Sequence, residues 1–507
     1  MIMAENGNKK ENSLLSPIFY SDVSSEKDKK FSHYPTPNLN FYIILEAYMD
    51  KIGLLKSQKD RLRQEGSETR KMISELIDAD SFVELQSFGT SRNDFYGETA
   101  LGEGVVTGYA TIGDHPVYVV ALMSNVLSGG LGLGNCKKIV NCMEKAQMAD
   151  APVVYLLSSQ GILAGEGVDA LEGVASLLNK ANELKGVVPQ FAVCKGKVLG
   201  QATVLAAQCD YVYYLKGACV CYGSPLVVAA KAGVSADEAK LCGSNNGNGL
   251  CTFDVNDVTE VRNGICDVLE VLPDFGGIYA ETEDDANRNA PALNEKVCAK
   301  CLTEAVFDQG KLIELGKGYA PEVITGIGRV GGYSVATVIF NGENGVELTD
   351  RNVQKIKDFL YYASDNRLPV LTFVNTLGIK QDAKTNSSTV LNGIAQLLCA
   401  LNYASEVPQI NVIYGKAIGL GYTLFGSKAY GADYSFAFAT SEIGACTKEV
   451  GAEMEYAVAG GNKEELKEKF ASVELDPLKA AASGYIDDVI EPQFVRQYII
   501  SALQMLI

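Results

Sequence analysis

Short apolar runs rich in Val, Ile and Ala alternate along this chain with stretches whose apolar positions recur at helical spacing, a pattern of buried strands covered by amphipathic helices. Val105-Val106-Thr107-Gly108 opens one such series and leads into a strand, turn and strand over Tyr109 to Leu122. A helix-patterned segment follows from Lys137 to Ala149, then a buried-strand run, Ala151 to Leu156, and a turn carrying Gly161. Val188-Pro189-Gln190 leads through Phe191-Ala192-Val193 to the glycine turn Gly196 to Gly200. Small residues then continue as helix before Asp210-Tyr211.

The same series is written a second time. Val323-Ile324-Thr325-Gly326 precedes a hairpin over Gly328 to Phe340, a helix pattern runs from Val353 to Ala363, and Leu368 to Phe373 leads to a turn carrying Gly378. Val407-Pro408-Gln409 then leads to Gly415 through Gly419 and on to Asp433-Tyr434, while Ser81 to Leu85 has a looser echo in Lys311 to Leu315. Ordered matches at a nearly constant offset mark an internal duplication. The pattern predicts an α/β fold with copies over 40–265 and 300–507, a polar N-terminal tail over 1–39, and a linker over 266–299 containing the Gly-, Asp- and Asn-rich stretch Pro273 to Pro291.

Composition narrows the function. The 507 residues suffice for two or three cores, and a net charge of −18 argues against nucleic acid as a partner. A long anionic ligand would need local cations, for which Lys195, Lys197 and Lys137-Lys138 are candidates. No apolar run approaches the roughly 18 residues of a membrane span, and Met1 to Pro37 has no leader pattern, so a soluble, cytoplasmic chain is expected. The 13 Cys, several in apolar runs (Cys136, Cys142, Cys194, Cys209, Cys399), read as reduced core thiols. Cys298 and Cys301 form one CxxC without the second pair that zinc would need. His33 and His115 are the only histidines, which excludes a histidine-based triad or a histidine-rich metal site.

Chemistry without histidine points to the backbone. A strand ending in a glycine turn that feeds a helix aims unpaired N–H groups at one spot, as an oxyanion hole or phosphate cradle does. The arrangement is expected at Gly200 to Ala202 and again at Gly419 to Gly421, although glycines there could also serve only a tight turn. A further glycine-rich stretch, Ser128 to Gly134, resembles a phosphate loop but lacks Gly-Lys-Ser/Thr.

Several separated motifs in order resemble the biotin-dependent acyl-CoA carboxyltransferases, the family of the propionyl-CoA carboxylase β subunit and the methylmalonyl-CoA decarboxylase α subunit. They are Gly102 to Tyr109, Glu166 to Leu171, Gly415 to Tyr422 with Ser427-Lys428, Gly431-Ala432-Asp433, and Asp476-Pro477 through Gly484 to Ile490, within a resemblance running from about Lys51 to the C-terminus. The resemblance implies two tandem crotonase-like domains. It also implies one oxyanion hole for an acyl-CoA thioester, with donors at Gly200 and Gln201, and one for the ureido carbonyl of carboxybiotin, with donors at Leu420 and Gly421. Gly129, Gly130, Gly161, Ala202, Gly419, Tyr422 and Thr423 would line the substrates. No metal is implied. The chain has no Met-Lys-Met biotinylation site and no ATP-binding carboxylase half, so biotin is expected on a biotin carboxyl carrier protein or biotin carboxylase subunit. A homo-oligomer from dimer to hexamer is implied, and a membrane decarboxylase partner is possible within the family.

The chain also departs from the pattern. Where the family has paired glycines, the second is Gln201 in one copy and Leu420 in the other; the turns Ser158 to Leu163 and Asn375 to Lys380 differ, and Thr423 stands where an acid is common. Two other readings therefore stay open. One is a degenerate subunit that assembles with an active paralogue. The other is an acyl-CoA hydrolase or decarboxylase of the same fold, with Glu166 as the available carboxylate.

Overall fold

The computed structural model describes residues 39–89, 102–235, 237–238, 246–381 and 388–507. The chain divides into two bodies, Met1–Arg61 and Leu62–Ile507. In the first, the described residues belong to helix α1 (Leu39–Glu65); the rest of the expected tail, with His33, lies outside the described residues.

The second body holds both copies. The first contributes β1 (Val83–Leu85), β2 (Val105–Ile112), β3 (His115–Leu122), β4 (Val153–Ser159), β5 (Gln190–Leu199), β6 (Tyr211–Leu215), β7 (Cys219–Cys221) and β8 (Phe253–Val255). They form one sheet in the order β1-β2-β3-β4-β5-β6-β8, with β7 also paired to β5. The second copy contributes β9 (Leu312–Leu315), β10 (Val323–Val330), β11 (Tyr333–Phe340), β12 (Val346–Leu348), β13 (Val370–Ile379), β14 (Gln409–Ile418), β15 (Tyr434–Phe438), β16 (Glu442–Gly444) and β17 (Asp488–Ile490). Its order, β9-β10-β11-β13-β14-β15-β17, repeats the first, with β16 on β14 in the place of β7 and an added β12 on β13. In each sheet the opening hairpin is antiparallel and the later strands are parallel. Val105 to Gly108 is the start of β2 itself, not a segment preceding the hairpin.

The crossover helices are α3 (Leu133–Met148), α4 (Val168–Leu184) and α5 (Gln201–Gln208), matched in the second copy by Asp350–Asp365, Ser388–Tyr403 and Leu420–Phe425. The first two begin alike, with a third-residue asparagine accepting the cap N–H: Asn135 from Gly132 at 2.8 Å and Asn352 from Thr349 at 2.7 Å. On the face behind them, Lys138 and Lys355 are buried. Lys138 donates to the carbonyls of Gly102 and Val105, at 3.0 and 2.6 Å, and Lys355 to those of Gly316, Tyr319 and Val323, at 3.1, 2.7 and 2.8 Å. Burial pushes both ammonium groups down to about 8.

Each hairpin turns on two residues with positive φ, Gly113-Asp114 and Gly331-Gly332, as two-residue turns require. In both, a carboxylate accepts the two turn N–H groups. Asp78 takes those of Gly113 and Asp114 at 3.1 and 3.0 Å, and Asp308 those of Gly331 and Gly332 at 2.8 and 2.7 Å. An arginine from the helix closing each copy completes the clamp: Arg262, on Val258–Val271, bonds Asp78, and Arg496, on Val495–Leu506, bonds Asp308 at 2.7 Å. Burial pushes the Asp78 carboxyl up, but the Asp114, Gly113 and Arg262 hydrogen bonds outweigh it and hold the group well below its usual range.

One face of the first sheet packs on α3 and α4. Its other face joins α2 (Ser67–Leu76), Val258–Val271 and the helices Asp350–Asp365 and Ser388–Tyr403 in one core shared by both copies. At the centre of that junction the Tyr211 and Tyr362 hydroxyls are hydrogen-bonded. Ala299–Val306 and Val495–Leu506 cover the far face of the second sheet.

Backbone pairing ties the segment between the copies to the second sheet. Ser334 N–H donates to the Ile278 carbonyl at 2.9 Å and Ala280 N–H to that of Gly332 at 3.0 Å, while the helix Val258–Val271 runs through the 265/266 position. One expectation is corrected: not all the cysteines are reduced core thiols, since Cys298 and Cys301 are disulfide-bonded and Cys399 is exposed.

Arg496 is 1% exposed and Arg262 33%. Removing the partner of a buried charge costs about 3–5 kcal/mol, so Asp308→Ala should lower stability in urea unfolding by about that much. Asp78→Ala should cost distinctly less. Equal losses would contradict the burial argument.

Candidate functional site

At the end of β5 the chain reverses at Gly200, with φ 59° and ψ −134°, and enters α5. At the end of β14, Gly419 adopts φ 54° and ψ −123° and enters Leu420–Phe425. Residues with a Cβ rarely reach this conformation, so glycine is required at both pivots. The pivot N–H groups are engaged: Gly200 donates to the Tyr222 carbonyl at 3.0 Å and Gly419 to the Gly444 carbonyl at 2.9 Å. Each carbonyl then accepts from the third residue onward, Gly200 from Thr203 at 3.0 Å and Gly419 from Thr423 at 3.2 Å. Between these bonds lie N–H groups without a hydrogen-bond partner among the described residues, those of Gln201 and Ala202 in one turn and of Leu420, Gly421 and Tyr422 in the other.

In the first copy, then, the Gly200 N–H is engaged and the free pair begins at Gln201. Gly200 N–H is not free, because β7 runs beside the end of β5, pairing Cys219 to Cys221 with Lys197 to Leu199, and its continuation at Tyr222 reaches the pivot. With β16 doing the same for Gly419, the pair Gln201 and Ala202 falls in register with Leu420 and Gly421. Nothing in the sequence around Tyr222 or Gly444 signals this role.

A second glycine lies under each turn. Gly161 (φ 109°) donates its N–H to the Ser159 hydroxyl at 3.1 Å, and Gly378 (φ 83°) to the Thr376 hydroxyl at 3.2 Å. Packing is close: a Cβ on Gly200 would stand 3.3 Å from Gly161 Cα, and one on Gly421 only 2.6 Å from Thr376 Cγ2. The glycine-rich loop is drawn to the same place, with Leu131 N–H donating to the Gly161 carbonyl at 2.9 Å. A Cβ on Gly129 would meet the Ser158 carbonyl at 2.0 Å and one on Gly130 the Leu163 side chain at 2.4 Å, so close packing accounts for both glycines.

The other expected residues divide. Ala202 is buried, and Leu420 and Tyr422 pack against the shared core. Thr423 is exposed and its hydroxyl bonds back to the Gly419 carbonyl at 3.3 Å. Glu166 accepts the Leu133 N–H at 2.8 Å, so its carboxylate caps the start of α3. Of the lysine cluster, Lys195 pairs with Glu68 at 2.8 Å and Lys138 faces inward, which leaves Lys137 and Lys197 exposed. A cavity of about 800 Å³ lies between the two copies, lined by Lys185, Asp210, Tyr319, Tyr362 and Asp365 among others, and neither turn lines it.

Residues 62–507 match the family model described as the carboxyl transferase domain. The chain belongs to this family. It is 30% identical over 494 residues to the methylmalonyl-CoA decarboxylase subunit alpha of Veillonella parvula, covering 91% of this chain and 97% of that one. To the propionyl-CoA carboxylase carboxyltransferase subunit of Haloferax mediterranei it is 28% identical over 500 residues, covering 90% and 96%. The crystal structure of transcarboxylase 12S, a hexamer holding methylmalonyl-CoA and methylmalonic acid, matches with a TM-score of 0.83 at 25% identity, covering 90% of this chain and 96% of that one. The two sheets of this carboxyl transferase are therefore the tandem crotonase-like units that the motifs led one to expect.

Because Glu166 acts as a helix cap, Glu166→Gln should keep full activity and cost about 0.5–1 kcal/mol of stability, the usual worth of a charge at a helix N-terminus. A loss of turnover without a loss of stability would instead put this carboxylate in the chemistry.

Proposed function

We propose that the chain is a carboxyltransferase subunit that moves CO2 between biotin on a separate carrier and an acyl-CoA such as propionyl-CoA or methylmalonyl-CoA. The observation that carries this reading is the pair of turns with matched free N–H groups, in a chain of the carboxyl transferase family. In the first copy, the Gln201 and Ala202 N–H groups hold the thioester carbonyl. They gain strength as charge develops on its oxygen in the enolate, each donor contributing about 3–4 kcal/mol. Gly161 and Gly200, lacking side chains, leave the approach open.

In the second copy, the Leu420 and Gly421 N–H groups fit a ureido carbonyl: two donors stand together on a turn whose Gly421 admits no Cβ. Carboxybiotin held there supplies the carboxyl group. Lys137 and Lys197 remain for the CoA phosphates. That Gln201 and Leu420 replace glycine changes side chains and leaves both N–H pairs in place, which favours an active enzyme over a degenerate scaffold and over a hydrolase built on Glu166.

Neither turn lines the cavity between the copies. The hexamer of the transcarboxylase 12S neighbour supports a homo-oligomer in which the first turn of one subunit meets the second turn of another, with a biotin carboxyl carrier protein or biotin carboxylase subunit as further partner. No helix among the described residues is long and apolar enough to cross a membrane, which is compatible with a cytoplasmic subunit. A membrane decarboxylase partner is compatible too.

The test is transfer between carboxybiotin-loaded carrier and a panel of acyl-CoAs, with propionyl-CoA carboxylation or methylmalonyl-CoA decarboxylation expected. Gly200→Ala and Gly419→Ala, which cannot hold the positive-φ pivot without strain, should each misplace the donor pair that follows and lower kcat by about 10²–10³, the size of loss seen when an oxyanion donor is removed. Absence of transfer and of decarboxylation with every acyl-CoA would overturn the proposal.

A further inference from the structure

The disulfide stands apart from the other cysteines. Ten described cysteines are free, six of them buried, and burial pushes the thiols of Cys136, Cys142 and Cys251 up to about 12, where they stay protonated and inert. Cys298 and Cys301 are half-exposed. Their bridge spans only two intervening residues, and so short a loop restrains the unfolded chain least. The helix it starts, Ala299–Val306, is already held by Ala299, Leu302, Ala305 and Val306 in the outer core and by Arg496 on the Val306 carbonyl. Stability therefore does not account for the bridge.

Its position suggests another role. Cys298 caps the helix, its Sγ accepting the Cys301 N–H at 3.1 Å, an environment that favours a thiolate. The arm Lys296-Val297-Cys298 lines a cavity of about 310 Å³ that Asn375 and Lys416 also line. The Asn375 carboxamide accepts the Lys416 N–H at 2.9 Å and donates to the Gly342 carbonyl at 2.6 Å, bridging the place where β13 and β14 slip register between Val374 and Thr376. From Lys416, β14 runs to Ile418 and the Gly419 pivot. The disulfide and the second turn thus share one end of the sheet.

We propose that Cys298–Cys301 is a reversible redox site, opened by a dithiol reductant of the thioredoxin class, and that its state sets how the biotin-bearing partner engages the second turn. A thiolate of the reductant attacks Cys301 Sγ, the S–S bond breaks, and Cys298 leaves as a thiolate accepting the Cys301 N–H. Stabilising the leaving thiolate makes this the faster of the two directions. The second thiol of the reductant then attacks the mixed disulfide, releasing the reductant as its own disulfide, and Cys301 takes up a proton. Two electrons and one proton pass from the dithiol monoanion to the bridge, and Cys298 keeps the negative charge. Once open, the arm lining the cavity loses its covalent tie to the first turn of the helix.

The consequence for the partner rests on the assignment of the second turn to biotin; the thiol chemistry does not. Full-length protein purified in air should gain two alkylatable thiols on treatment with dithiothreitol or reduced thioredoxin, mapping to Cys298 and Cys301, and lose them on reoxidation. Reduction should shift the KM for the carrier severalfold and leave the KM for acyl-CoA unchanged, and the Cys298→Ser/Cys301→Ser variant should show the reduced-form value under both conditions. Full alkylation of both cysteines before reduction, a bridge that resists dithiols in the native protein, or one carrier KM in both forms would each overturn the proposal. If no acyl-CoA supports transfer, the carboxyltransferase reading fails, while thiol mapping still decides the redox site.

Discussion

The hydrogen bonds from Gly200 N–H to the Tyr222 carbonyl and from Gly419 N–H to the Gly444 carbonyl engage the one donor in each turn that would otherwise compete for a ligand. They also set the direction of the donors that follow. Because the pivot is pinned by a short parallel strand, the next two N–H groups cannot turn back to the sheet, and the helix geometry denies them an internal acceptor. Orphan donors on a fixed backbone form a polar site that needs no ionisable side chain. On the proposed reading, they let a chain with two histidines stabilise developing negative charge.

What the two copies share beyond their strands is a set of side chains tied to the backbone. Thr107 and Thr325 donate to the carbonyls of Leu85 and Leu315 at 3.1 and 3.0 Å, and Asp210 and Asp433 accept the N–H groups of Gln190 and Gln409, both at 2.8 Å. Lys138 and Lys355 gather carbonyls at the base of each hairpin. These ties concern the path of the chain and not any ligand, so they persist while the residues around the turns, Gln201 against Leu420 and Ser159 against Thr376, have diverged.

Much of this was legible in the sequence. Periodicity located the strands and crossover helices, and the repeat exposed the duplication, since both depend on which faces are buried. The donor register was not, because it depends on β7 and β16, three-residue strands without a periodicity of their own. The lysines misled in part: Lys137 and Lys138 are adjacent, yet one is exposed and the other lies in a cage of carbonyls, a difference set by the helix face. The ties of the linker were not legible either, because they come from pairing with the distant hairpin residues Gly332 and Ser334.

The clamps have a consequence for how the protein is made. The turn Gly113-Asp114, its carboxylate Asp78 and its arginine Arg262 all lie within the first copy, and the second copy has its own set. The first hairpin can therefore be sealed on the ribosome before a residue of the second copy has emerged. Only the shared core around Tyr211 and Tyr362 must wait for the second half of the chain. Duplication in this chain separates folding into two locally completed acts and one late union.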